Sequence, residues 1–140
     1  MSLPCKWLLD NGFIKGRVLD FGCGFGMDGF LLGQRGFDYQ NFDPHFYPTK
    51  PDGQFDTILC TYVFNVLFAQ ERFDLLQELR SCMKADTRTF ITVRRDYPPK
   101  ELFMVKSKVG TYQFYVELQL PIIFENRKFC IYELSKNTEL

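Results

Sequence analysis

The stretch Val18-Leu19-Asp20-Phe21-Gly22-Cys23-Gly24-Phe25-Gly26 constrains the chain more than any other. A short apolar run, Arg17 to Phe21, leads straight into alternate glycines, and a helical pattern follows at once. Strand, tight glycine turn and helix start form the unit from which α/β sheets build ligand crevices, just outside the carboxyl ends of their strands. Glycine lets the backbone turn sharply and approach a ligand with no side chain between them. The helix start adds free N–H groups and a partial positive charge. The spacing departs from the dinucleotide fingerprint Gly-x-Gly-x-x-Gly, because Gly26 comes one residue early and Met27 stands at the last position. Asp20, two residues before Gly22, would repel a pyrophosphate and attract a cationic ligand.

Around this turn the chain reads as alternating elements. Pro4 to Asn11 predicts a short helix stopped at Gly12, and Gly26 to Arg35 a second, with Met27, Phe30 and Leu31 on its apolar side. Phe37 to Phe42 predicts a strand closed by Asp43-Pro44, and the proline-rich segment from His45 to Gln54 a loop. Phe55 to Cys60 is apolar enough for the middle of a sheet. Ala69 to Lys84 predicts the best helix, with Phe73, Leu76, Leu79 and Met83 on one face. Thr87 to Val93 predicts a fourth strand. Lys100 to Lys108 is a weak helix candidate. Aromatics from Tyr112 to Tyr132 read as a terminal pair of strands, turning at Glu125-Asn126-Arg127-Lys128. This order predicts an α/β sandwich, mostly parallel, with an antiparallel C-terminal edge, filling residues 1–140 as one domain.

The segment from Asp20 to Gly26 resembles the first motif of the class I S-adenosylmethionine-dependent methyltransferases, and the element order from about Pro4 to Leu134 follows theirs. The resemblance implies a three-layer Rossmann-like sandwich, S-adenosylmethionine as cofactor and S-adenosylhomocysteine as product. It implies that Asp20, Gly22, Cys23, Gly24 and Gly26 cradle the cofactor. Asp43, 21 residues after Gly22, corresponds to the family's ribose acid, followed by Pro44. Carboxylates suit that role because two acceptor oxygens make charge-assisted bonds to both hydroxyls; a turn former before proline is the simpler alternative. The family's next helix and strand have no counterpart between Asp43 and Phe55, so a trimmed sheet lacking the third family strand is expected. The acid that touches adenine goes with it. Phe46 or Tyr47 could cover the base instead, or simply pack on their own domain.

By position in the family pattern, Cys60 and Thr61 lie beside the methionine part of the cofactor. Tyr62 and Asn65 lie there too and are candidates to orient the nucleophile; helix capping and ordinary burial are their plainer roles. Arg94, Arg95, Asp96 and Tyr97 follow the fourth strand, at the end of the sheet where this family shapes its substrate pocket. The lone histidine, His45, reads as a surface loop residue.

Composition excludes several classes. Hydrophobic residues make 46% of the 140 residues and the net charge is zero, which speaks against disorder and against a global pull toward nucleic acid. Residues 88 to 108 carry six Lys/Arg against two Asp/Glu, a weak anion patch that more commonly is a solvated face. No apolar run reaches about 18 residues, so no membrane span is expected. Cysteines 5, 23, 60, 82 and 130 lack Cys-x-x-Cys spacing, which predicts reduced thiols, no metal site and a cytoplasmic location. The expected partner is a small-molecule substrate, with a homodimer or partner chain completing so trimmed a site. A non-catalytic domain that binds the cofactor or its product is the alternative function. A nicotinamide dehydrogenase is disfavoured by the glycine spacing.

Overall fold

The computed structural model describes all residues, 1–140. Helix α1 (Leu3–Asp10) starts at Ser2, whose hydroxyl accepts from the Cys5 N–H, and has proline in its first turn, where the missing N–H is harmless. Strand β1 (Val18–Phe21) is buried along its length and passes through the glycine turn into α2 (Met27–Gln34). Then follow β2 (Tyr39–Phe42), β3 (Thr57–Thr61), a 3₁₀ turn (Phe64–Val66), α3 (Ala69–Ser81) and β4 (Arg88–Arg94). Strands β5 (Met104–Lys106) and β6 (Tyr112–Phe114) form a small hairpin, and β7 (Ile122–Glu125) and β8 (Phe129–Leu134) end the chain.

The main sheet runs β2-β1-β3-β4-β8-β7. The first four strands are parallel, and β8 and β7 are antiparallel additions. This is the expected Rossmann-like sandwich with an antiparallel edge. β2 is the outer strand where a longer sheet would continue. Alternation along β1, β3, β4 and β8 feeds two cores. Val18, Leu59, Phe90 and Ile131 face Leu8 of α1 and Leu32 of α2. Leu19, Ile58, Ile91 and Tyr132 face Leu75 and Leu79 of α3, together with Phe114 and Val116 from the hairpin region.

Several local expectations are corrected. Lys100 to Lys108 contains strand β5 rather than a helix, and Tyr112 and Phe114 belong to the hairpin rather than to the terminal pair. Phe114 and Val116 fill space that a further helix would have covered, so apolar demand on that face sets the conformation. On α3, Leu75 enters the core and Phe73 is exposed. On α2, Met27 and Phe30 are exposed and Leu32 is buried. That helix lies close to the sheet because Gly33 leaves room for the Tyr39 ring. No helix is long and apolar enough to cross a membrane.

The basic stretch from Arg88 onward is divided among local partners. Arg88 makes a bidentate pair with Glu133, Arg94 pairs with Asp96 and Lys100 with Glu117. Arg95 is the most embedded. Its guanidinium bonds Glu125 (2.7 Å), the Val116 carbonyl (2.7 Å) and the Tyr132 hydroxyl (2.7 Å), and lies over the Tyr115 ring. It therefore joins β7, β8 and the strand-free segment after β6. Arg95→Leu is expected to lower unfolding free energy by about 2–3 kcal/mol, because charge-assisted bonds are lost and their partners stranded; a urea midpoint equal to wild type would remove this hub role.

Candidate cofactor and acceptor site

The glycine turn lies at the carboxyl ends of β1 and β2. Gly22, Gly24 and Gly26 have φ of 80°, 58° and 86°, a region where side chains are strained. Two of them also answer to their surroundings. A Cβ on Gly22 would collide with the Val63 side chain, so the turn after β3 packs directly on the glycine turn. A Cβ on Gly24 would meet nothing within 4 Å, so the backbone there faces open space. The turn is not plugged at that point.

Asp20 lies on the α1/α2 face, in register between Asn41 of β2 and Leu59 of β3. It is 5% exposed, and no protein donor bonds its carboxylate. Burial, then the neighbouring charges of Asp28 and Asp43, push its carboxyl up to about 7. The amide oxygen of Asn41 is also buried without a donor. That oxygen is sealed against Gly29 of α2, so Asp20 is the acceptor near the open turn that suits a ligand carrying an ammonium.

Asp43 is tied to the same turn. Its Oδ2 accepts the Gly24 N–H at 3.0 Å, and its Oδ1 accepts the His45 and Phe46 N–H groups at 2.9 and 3.1 Å. Partial burial opposes ionisation, but these three N–H bonds together hold the carboxyl below its ordinary range. Asp43 is therefore the turn former and also a charged group held against the glycine turn. Pro44 is exposed beside it. The loop that follows packs on its own domain, with the Tyr47 hydroxyl donating to the Phe25 carbonyl at 3.0 Å. Phe46 and Phe25 meet ring to ring, and Phe25 is 81% exposed. Cys23 is half-buried in the turn, and burial, then Asp20 and Asp43, push its thiol up to about 12.

The residues after β3 divide. Thr61 is partly exposed at the strand end, opposite Thr92, whose hydroxyl is buried without a partner. Tyr62 adopts φ 63°, an unusual backbone for a bulky residue and one that clusters at functional sites. Its phenol makes no hydrogen bond within the protein and lines a cavity of about 510 Å³ with Leu3, Val66, Arg94, Asp96, Gln113 and Lys128. Burial raises that phenol, Asp96 and Asp28 add to the effect and Arg94 opposes it, so Tyr62 stands between the first turn of α2 and the exit of β4.

Two expectations about this stretch are corrected. Cys60 is wholly buried on the α3 face, where burial pushes its thiol up, so its side chain faces away from the site. Asn65 is 1% exposed and outside the cavity. Its Oδ1 accepts the Arg94 N–H at 2.7 Å and its Nδ2 donates to the Phe114 carbonyl at 2.9 Å. Both amide atoms are thus committed to backbone partners at the ends of β4 and β6. Gln113 and Lys128 join this lining without any signal in the sequence, because only the tertiary fold brings the hairpin and the last turn to the end of β4.

These features define a Rossmann-like domain of the methyltransferase type. A family model described as a methyltransferase domain matches residues 4–129, and the chain belongs to that family. No curated protein matches the sequence. Among solved structures, the chain is similar to the PH0226 protein from Pyrococcus horikoshii (TM-score 0.67, 14% identity, 93% of this chain and 86% of that one). It is also similar to 1,6-didemethyltoxoflavin-N1-methyltransferase from Burkholderia thailandensis with 1,6-didemethyltoxoflavin and S-adenosylhomocysteine bound (0.68, 14%, 97% and 78%). A third is magnesium protoporphyrin IX methyltransferase from Synechocystis with S-adenosylhomocysteine bound (0.58, 16%, 93% and 78%). At these identities the likeness concerns the fold.

The Asp20 carboxyl has a measurable signature in the ligand-free protein. The unfolded chain releases this proton near 3.8, whereas the folded chain holds it to about 7. Stability is therefore lost as pH rises from about 4 to about 7, by on the order of 4 kcal/mol. Asp20→Asn is expected to melt several degrees above wild type near pH 8 and to converge with it near pH 4. Parallel melting curves across that range would exclude a buried, proton-holding Asp20.

Proposed function

We propose that this protein is an S-adenosylmethionine-dependent methyltransferase acting on a small-molecule acceptor. The observation that carries the reading is the unpartnered carboxyl of Asp20 behind a glycine turn that is open at Gly24 and tied to Asp43. That carboxyl fits the ammonium and sulfonium of the cofactor, and family membership supports the same assignment. In this reading Gly22, Cys23, Gly24 and Gly26 supply backbone contacts. Asp20 pairs with the ammonium, Asp43 holds the ribose hydroxyls, and Pro44 and the exposed Phe25–Phe46 pair offer apolar cover where the family's adenine acid is lost. Thr61 borders the methionine end. Two of the similar structures carry S-adenosylhomocysteine, and one holds a small aromatic acceptor, 1,6-didemethyltoxoflavin.

Bound there, the cofactor supplies an activated methyl group on a positively charged sulfur. The chain's own task is alignment, which can contribute up to about 7–11 kcal/mol of a transfer barrier. Tyr62 is the residue proposed to orient the acceptor, since its phenol is uncommitted and its backbone is held in a strained form. Asn65 is a positioning residue that fixes Arg94.

Calorimetric titration with S-adenosylhomocysteine tests the reading. Wild type is expected to bind, and Asp43→Ala to weaken binding by about 1.5–3 kcal/mol, through lost charge-assisted bonds. Affinity should fall about tenfold per pH unit below about pH 7, because Asp20 must release its proton to pair with the ligand. Absence of binding at neutral pH would sink the proposal. Binding without methyl transfer to any of a panel of small acceptors would point instead to the non-catalytic role.

A further inference from the structure

Resting on that reading, we infer that the methyl acceptor is a small anion, carrying a carboxylate or phosphate oxyanion that the cavity at the carboxyl end of β4 recognises. Two of the polar groups there are cations, Arg94 and Lys128, and two more, Tyr62 and Gln113, are able to donate. Arg94 gives its Nε to Asp96 at 2.9 Å and leaves its terminal nitrogens without a partner. The Tyr62 hydroxyl, the Gln113 amide and the Lys128 ammonium line the same space, and none is engaged by another side chain. They come from four places in the fold: β4, the turn after β3, β6 and the turn between β7 and β8. The single carboxylate, Asp96, is held below its ordinary range first by the Arg94 bond and is thereby occupied. Two cations thus face one committed anion, and Leu3 and Val66 supply apolar walls.

Two cations beside one carboxylate that is already paired favour a negatively charged ligand, and Arg94 can present its two terminal nitrogens to an oxyanion. A neutral ligand would leave Lys128 and the Arg94 terminal nitrogens to water. The volume, about 510 Å³, fits a single-ring molecule. The cavity adjoins the cofactor position, because the Tyr62–Val63 turn packs on Gly22. An anion there also complements the acid-rich side of the site, formed by Asp20, Asp28 and Asp43. Like charges across the cleft keep the acceptor's oxyanion at the basic end and its other end toward the glycine turn.

Calorimetry with matched probes tests this. 4-Hydroxybenzoate, phenyl phosphate and the neutral 4-hydroxybenzamide are titrated into the empty protein and into protein saturated with S-adenosylhomocysteine. At least one anion is expected to bind about tenfold or more tightly than the amide, the preferred one naming the headgroup. Lys128→Glu, at an exposed position, should lower that anion's affinity about tenfold or more and leave S-adenosylhomocysteine binding unchanged. Equal binding of anion and amide, no binding of either anion, or anion binding indifferent to Lys128→Glu overturns the inference. Loss of S-adenosylhomocysteine binding in wild type overturns the function itself, so the two failures are separable.

Discussion

Three parts of the chain distant in sequence meet at the buried amide of Asn65. It accepts the Arg94 N–H as β4 ends and donates to the Phe114 carbonyl in β6, from a position in the 3₁₀ turn after β3. Arg94 and Gln113, on either side of the cavity, owe their placement to that bracket. A larger relative could brace such a region with further helices. Here three helices serve a six-stranded sheet, and one satisfied polar side chain does the bracing. A buried amide is tolerated because its bonded atoms have partners at good distance.

The two sides of the site have opposite polarity. By the glycine turn lies the unpartnered carboxyl of Asp20, with Asp28 and Asp43 nearby. Across the Tyr62 turn lie the cations Arg94 and Lys128, with Gln113 and one carboxylate, Asp96, paired to Arg94. Tyr62 sits on the divide in a left-handed backbone conformation that costs about 1–3 kcal/mol. Such strain persists only where surrounding packing enforces it, here Val63 against Gly22 and the Tyr62 N–H bonded to the Thr92 carbonyl at 2.9 Å.

Much of this was legible in the sequence, for physical reasons that differ by element. The glycine turn, β1, β3 and β4 are signalled by runs that only a two-sided parallel sheet can bury, and α3 by its amphipathic period. The absent strand between Asp43 and Phe55 could be read from the length and prolines of the segment. The β5–β6 hairpin could not, since its pattern is weak and its conformation follows from Phe114 filling the α3-side core. Phe73 and Leu75 show a similar limit: both are apolar, and only the helix's seating on the sheet decides which is buried. Cys60 and Asn65 look like site residues by position, but strand alternation turns the first away and backbone partners claim the second. Lys128 carries no signal of its own, because a turn lysine is ordinary until the fold sets it opposite Tyr62.

Dropping a strand from a sheet normally leaves a row of unmet N–H and C=O groups, and such a border invites other chains to pair with it. β2 is that border here. Gln40 reaches out from it, donating to the Thr49 and Lys50 carbonyls at 3.4 and 3.1 Å and accepting from the Asp52 N–H at 3.1 Å. Gln40 alternates with Tyr39, whose ring meets α2, so the strap it pins lies over the α3-side face of the sheet, where Lys50 and Pro51 share a cleft with Phe42 and Glu78. The border's own protection is its brevity: with four residues, β2 offers another chain too short a ladder for fibril-like growth.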